Sequence, residues 1–255
     1  MFIIILLDHL YVFSLGLLLG SFFNVVGLRV PVGESIVKPR SHCPSCQRTL
    51  TAWELIPVVS YLVQMGRCRG CGARISPLYP LMEWLTACLF TLSPLVLGWS
   101  AELLVSWTLI SLFMIIVVSD LRYMMIPDRI LLVFAVLFLI ERALLPLSPW
   151  WDSLVGAFTG FVVLLFVAVA SRGGMGGGDI KLFALIGFVV GWKMVLLAFF
   201  ISTLYGTVFG LIGMALGKVR RGQPMPFGPY IALGTLTVYF FGHEIVEWYK
   251  QLIFF

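Results

Sequence analysis

Long uninterrupted apolar runs dominate this chain of 255 residues and restrict its fold more than any other feature. Between Leu103 and Ser119, for example, no charged residue occurs. About 20 consecutive apolar residues match the hydrocarbon thickness that one helix must cross. The runs are continuous rather than alternating, which disfavours a transmembrane barrel. Composition agrees, with 60% of the residues hydrophobic and 11% charged, where a soluble domain is roughly a quarter charged. So little polar surface cannot cover a soluble globule.

Segments at about 2–27, 77–99, 101–119, 130–146, 153–171, 180–192, 194–216 and 229–251 read as spans. The first is expected to be retained, because it lacks a basic leader region and runs on past Val26. The sixth is short and bracketed by Gly178 and Gly191, as a half-helix or a tilted helix would be. The expected fold is an all-α polytopic membrane protein of about eight transmembrane helices. It divides into a first helix at 1–28, a polar segment at 29–76 and a transmembrane domain at 77–255.

Charge orients these spans. Eight spans place the 28–76 segment and the loops at 120–129, 172–179 and 217–228 on one side, with 14 of the 17 Lys and Arg residues. Only Arg142, Lys193 and Lys250 fall on the other. The basic side is expected to be cytoplasmic and both termini to lie outside. A net charge of +5 then needs anionic lipid headgroups and no nucleic-acid partner.

The polar segment carries Cys43-Pro-Ser-Cys46 and Cys68-Arg-Gly-Cys71, 21 residues apart. Two such pairs match a four-thiolate zinc site, in which each turn aims two sulfurs at one ion. Gly70 and Gly72 permit the tight backbone that the second turn needs. A closed set of four sulfurs is structural, and a cytoplasmic zinc-ribbon-like domain this small needs such a staple. Disulfides or free thiols are the other reading, and a reducing compartment opposes the first of these. Cys88 lies in an apolar span and reads as a packing residue.

Two acidic residues stand apart. Asp120 ends the third span and Asp179 begins the sixth, so both are expected at the cytoplasmic edge of the bilayer. Ionisable groups at membrane depth are functional candidates. Two facing carboxyls cannot both ionise easily, so one holds a proton while the other can activate water. That is the chemistry of peptide hydrolysis without a covalent intermediate. Gly173, Gly174, Gly176, Gly177 and Gly178 form a loop that could approach an extended peptide. Helix capping or interfacial solvation is the plainer reading of each Asp. Asp128, after Pro127, reads as a cap or first-turn acid. The glycine loop lacks the Lys-Ser ending of a phosphate-binding loop. An ion or proton relay in a transporter would also use such acids and a short helix.

These residues, in order, resemble the prepilin peptidase family, the type IV leader peptidases of bacterial pilus, secretion and competence systems. The resemblance rests on Gly20-Ser-Phe-Phe-Asn-Val-Val26, the Arg40–Cys46 stretch, Leu55-Ile-Pro57, Cys68–Cys71, Tyr79-Pro-Leu-Met-Glu83, Asp120 with Ile126-Pro-Asp128, Gly174–Leu182 and Pro226-Phe-Gly-Pro-Tyr230. It implies that Asp120 and Asp179 are catalytic. It implies an inner-membrane enzyme that removes the basic leader of type IV prepilins or pseudopilins after a glycine. In the bifunctional members, which carry the four-cysteine segment, S-adenosylmethionine then methylates the new amino terminus; peptidase activity alone is the alternative. Ser119 stands where presenilin-like and signal-peptide-peptidase enzymes carry tyrosine. The family also has a glutamate at the place of Glu83, read here as an interfacial acid paired with a nearby arginine or as a catalytic or methyl-transfer residue. Lys181 could tune the charge of the pair or snorkel to headgroups.

Overall fold

The computed structural model describes residues 2–171, 174–217 and 225–253. Of the sequence features above, Arg172, Gly173, Lys218, Arg220 and Arg221 lie outside the described residues. The described chain is helical and has isolated bridges but no strand. Its helices are α1 (Phe2–Arg29), α2 (Val59–Val63), α3 (Leu78–Leu97), α4 (Glu102–Tyr123), α5 (Asp128–Leu144), α6 (Asp152–Ala170), α7 (Gly177–Val190), α8 (Trp192–Ala215) and α9 (Gly228–Ile253). Eight of these correspond one to one with the expected spans. Five are long and apolar enough to cross a membrane, namely α1, α3, α4, α6 and α8. With 14 residues α7 is shorter than a full crossing, and α5, with 17, stands at the lower limit of one.

The central helix is α4. Its span is 72% buried, against 22–39% for the other four. Leu109, Ile110, Leu112, Phe113, Ile116 and Val118 are fully enclosed. A helix apolar all round belongs in the middle of a bundle, and α4 is one. Around it α1 packs on α3, α6 on α7 and α8 on α9. Small residues set the closest approaches. A side chain at Gly156 or Gly187 would run into the other's backbone, and one at Gly160 would meet the Phe183 carbonyl. The helix pair α6 and α7 is therefore packed backbone to backbone, as small-residue interfaces in membranes allow.

At Gly191 the chain turns from α7 into α8 with φ +84°. Only glycine adopts that conformation freely, and an added Cβ there would meet the Asp152 carboxylate. Asp152 accepts the Trp192 N–H at 3.2 Å, capping α8. The expected short sixth span is thus a helix stopped at a glycine and continued at a new angle.

The bundle is tied at both ends. At one end the Tyr123 hydroxyl donates to the Leu28 carbonyl at 2.9 Å, joining the C-terminal ends of α4 and α1. At the other, Arg142 of α5 is buried and donates to both oxygens of Glu102 at 2.8 and 2.9 Å. It also donates to the Val189 carbonyl of α7 at 2.9 Å. The Tyr239 hydroxyl of α9 donates to the same Glu102 at 2.8 Å. A buried guanidinium satisfied in this way fixes four helices relative to one another.

Candidate functional site

Asp120 and Asp179 come together at the end of the bundle that carries the cysteine segment. Asp120 lies in the last turn of α4 and is buried, with 6% of its surface exposed. The helix stops four residues later at Met124, a left-handed residue with φ +51° whose N–H returns to the Asp120 carbonyl. The Ser119 hydroxyl then donates to the Met125 carbonyl and closes the joint into α5. Asp179 is the third residue of α7 and reaches back to accept the Gly176 N–H at 3.2 Å. It therefore caps its helix and also faces the joint after α4. At Gly178 an added Cβ would lie 2.9 Å from Ile126, so this glycine lets the two segments touch. Asp179 lies near enough to Asp120 to sense its charge. Neither has an ion-pair partner among the described residues.

The sequence reading missed one partner. Asp120 accepts the Gly228 N–H at 2.7 Å, from the first residue of α9. A side chain at Gly228 would place its Cβ 2.8 Å from the same oxygen. The Pro226–Tyr230 motif signalled that this stretch matters, but nothing local links it to an aspartate 108 residues earlier.

Lys181 points away from the carboxyl pair. It forms an exposed ion pair with Asp128 at 2.7 Å, joining the second turn of α7 to the first turn of α5. Asp128 is thus a first-turn acid, one of the two readings left open for it. Glu83 is buried in α3 and accepts the Val58 N–H at 2.7 Å.

The four cysteines form one cluster, with all four sulfurs within 4.8 Å of one another. The Cys43–Cys71 and Cys46–Cys68 separations are 3.8 and 4.0 Å. Four sulfurs set tetrahedrally 2.3 Å from a central ion would be about 3.8 Å apart, so the set fits a four-coordinate metal. Each half is the same small hairpin. The Cys43 and Cys68 N–H groups donate to the carbonyls of Arg48 and Ala73, and bridges pair His42 with Thr49 and Arg67 with Arg74. The left-handed position after each pair is Gln47 in one half and Gly72 in the other. Gly72 therefore does what the sequence asked of it; Gly70 does not need a positive φ.

Backbone N–H groups of Cys46 and Ser45 lower the Cys43 thiol, and those of Cys71 and Gly70 bring Cys68 down to about 6. The Ala73 N–H favours the Cys71 thiolate, but burial and the three neighbouring sulfurs outweigh it and raise Cys71 to about 11. Four crowded thiols that resist collective ionisation are what a divalent cation resolves. Beside them Arg48 makes a two-point ion pair with Glu54, whose carboxylate also accepts the Thr51 N–H at 3.0 Å.

Comparison with known proteins extends the local geometry to the whole chain. Residues 14–97 match the bacterial peptidase A24 N-terminal domain, and residues 107–211 match the type IV leader peptidase family. A prepilin leader peptidase/N-methyltransferase of Bacillus subtilis (strain 168) is 46% identical over 247 residues, covering 97% of this chain and 99% of that protein. Proteins of the same name from Aeromonas salmonicida (strain A449) and Pseudomonas aeruginosa are 35% and 34% identical, over 95% and 93% of this chain and 94% and 91% of theirs. No solved structure matches the chain.

Proposed function

This chain belongs to the type IV leader peptidase family, and on that premise we propose that it is a multi-pass membrane protease that removes the leader of type IV prepilins or pseudopilins and then N-methylates the new amino terminus. One observation carries the choice of residues. Asp120 and Asp179 come from helices far apart in sequence, meet at one end of the bundle, and have no ion-pair partner among the described residues. Such a pair shares protons. The ionised carboxyl takes a proton from water, and the protonated one donates to the scissile carbonyl and then to the leaving amine. The Gly228 N–H holds Asp120 in place for this. Around Gly177 the space is open, which suits an extended peptide alongside the glycine loop.

The reading extends to topology. The site would lie at the cytoplasmic face of the bacterial inner membrane, with α5, α7 and α9 completing eight spans. The 29–76 segment would be a cytoplasmic domain between the first helix and the transmembrane domain at 77–255. Zinc suits four sulfurs and no other ligand, with Cys43, Cys46, Cys68 and Cys71 as its structural set. When bound, S-adenosylmethionine would supply an electrophilic methyl group. A buried acceptor set at Asn24 and Glu83 fits the cationic chemistry of that step.

Mass spectrometry of a co-expressed prepilin tests both activities. The expected product has lost its leader and gained one methylene of mass. An intact leader contradicts the protease, and a trimmed product without the added mass reduces the function to peptidase alone.

A further inference from the structure

A second polar cluster lies at the same end of the bundle, where α1 and α3 leave the cysteine segment. Glu83, one turn and a half into α3, is 8% exposed and has no ion-pair partner among the described residues. Its carboxylate accepts the Val58 N–H at 2.7 Å and has the Ser21 side chain of α1 beside it. Asn24, one turn further along α1, is 2% exposed. Its amide donates to the Tyr79 carbonyl at 3.1 Å, while its side-chain oxygen is buried with no partner. Val58 provides its N–H from a backbone of φ +59°, ψ −51°. That is a costly conformation for a β-branched residue. The cluster therefore offers a carboxylate with no counter-ion among the described residues and an orphaned oxygen, and the backbone donor to the carboxylate is held under strain.

The Asn24 oxygen, a buried acceptor without a donor, marks a place where a donor is missing, and the Glu83 carboxylate, buried with no counter-ion among the described residues, asks for a cation. We propose that Glu83 and Asn24 bind the free N-terminal ammonium of the cleaved chain, displacing the Val58 N–H, and that Glu83 takes the proton that leaves before methylation. This rests on the methyltransferase reading above. An ammonium brings three hydrogen-bond donors; a sulfonium brings none, so the acceptor set matches the amine better than the reacting centre of the methyl donor. The step balances. The ammonium gives a proton to the Glu83 carboxylate, and the nitrogen lone pair forms the N–CH₃ bond. The S–CH₃ bond breaks with its electrons going to sulfur, leaving a neutral thioether and a methylated ammonium. Location agrees, since the hydroxyl of Tyr123, three residues beyond Asp120, donates to the carbonyl of Leu28, four residues beyond Asn24, at 2.9 Å. The new amine would be released on the face where Glu83 waits.

The test uses the full chain in detergent and a short apolar peptide beginning with phenylalanine, either free or acetylated at its amino terminus. Binding is measured without methyl donor. Wild type is expected to prefer the free amine by about tenfold or more, as a charge-assisted hydrogen bond to a buried carboxylate would give. Glu83→Gln should lose that preference, and Glu83→Asp should keep part of it. Asn24→Ala, which removes the orphaned oxygen but not the carboxylate, should lose part; it serves as the readout if Glu83→Gln melts early. With methyl donor added, Glu83→Gln should methylate the free peptide at least about tenfold more slowly. Equal binding of the two peptides by wild type, or an unchanged preference in the Glu83→Gln or Asn24→Ala variant, overturns the proposal. So does a Glu83→Gln variant that keeps the amine preference but no longer binds S-adenosylmethionine, since Glu83 would then serve the donor. A wild type that discriminates the amines but never methylates would instead contradict the methyltransferase reading.

Discussion

At the scale of single residues, the sequence marks Asp120, Asp179 and the four cysteines because each stands out from its surroundings: carboxyls at the ends of apolar runs, and sulfurs in two matched turns. Their partners were not legible. The Gly228 amide, the Val58 amide and the Glu102–Arg142 pair join residues 25 to 108 positions apart. Only packing brings such groups together, and no local pattern encodes which glycine of a glycine-rich chain donates to which acid. Gly228→Ala tests one of these partners. Its Cβ would stand 2.8 Å from the Asp120 oxygen, so the carboxyl or α9 must shift. Leader cleavage is expected to fall by about tenfold or more, since small misplacements of a reacting group cost that much. A cleavage assay with the Gly228→Ala protein gives the answer, and wild-type activity would mean that the contact does not position the acid.

At the scale of elements, helix positions were largely readable from apolar runs and glycines, and each expected span has a helix. What the runs could not tell is whether a helix is complete as a crossing. The 14-residue α7 stops at Gly191 because the chain must turn there, and the Gly156–Gly187 contact holds it against α6. Gly156→Leu should force the pair apart at a cost of about 1–3 kcal/mol and move Asp179 with α7. Lowered thermal stability together with lost cleavage is expected; a variant with both unchanged would separate the contact from the site. In the cysteine element, Arg48 and the Thr51 N–H hold the Glu54 carboxyl down from 4.5 to about 2. Its folded value is the lower one, so its stabilising contribution is present above pH 4.5 and disappears as pH falls toward 2. Glu54→Gln should therefore destabilise the segment at neutral pH, and the gap from wild type should close over that interval. Chemical denaturation at several pH values measures the gap. On the zinc proposal, Cys43→Ser should lower the zinc stoichiometry found by elemental analysis; unchanged zinc would remove Cys43 from the ligand set.

For the whole molecule, one end of the bundle gathers the cysteine cluster, the aspartate pair and the Glu83 cluster, while the Arg142 network fastens the other. The proposed topology, argued from the basic bias of the sequence, has that first end facing the cytoplasm. An epitope inserted near Glu34 should then resist protease added to intact cells, and one inserted after Ser148 should be digested; the reverse pattern would invert the topology. The central claim is that two carboxyls from separate helices form one hydrolytic site. The most direct measurement is leader cleavage of a prepilin by purified Asp120→Asn and Asp179→Asn proteins. Each should cut at least about 10²–10⁴-fold more slowly than wild type, as loss of an acid–base group requires. If either cuts at the wild-type rate, the aspartate pair is not the catalyst.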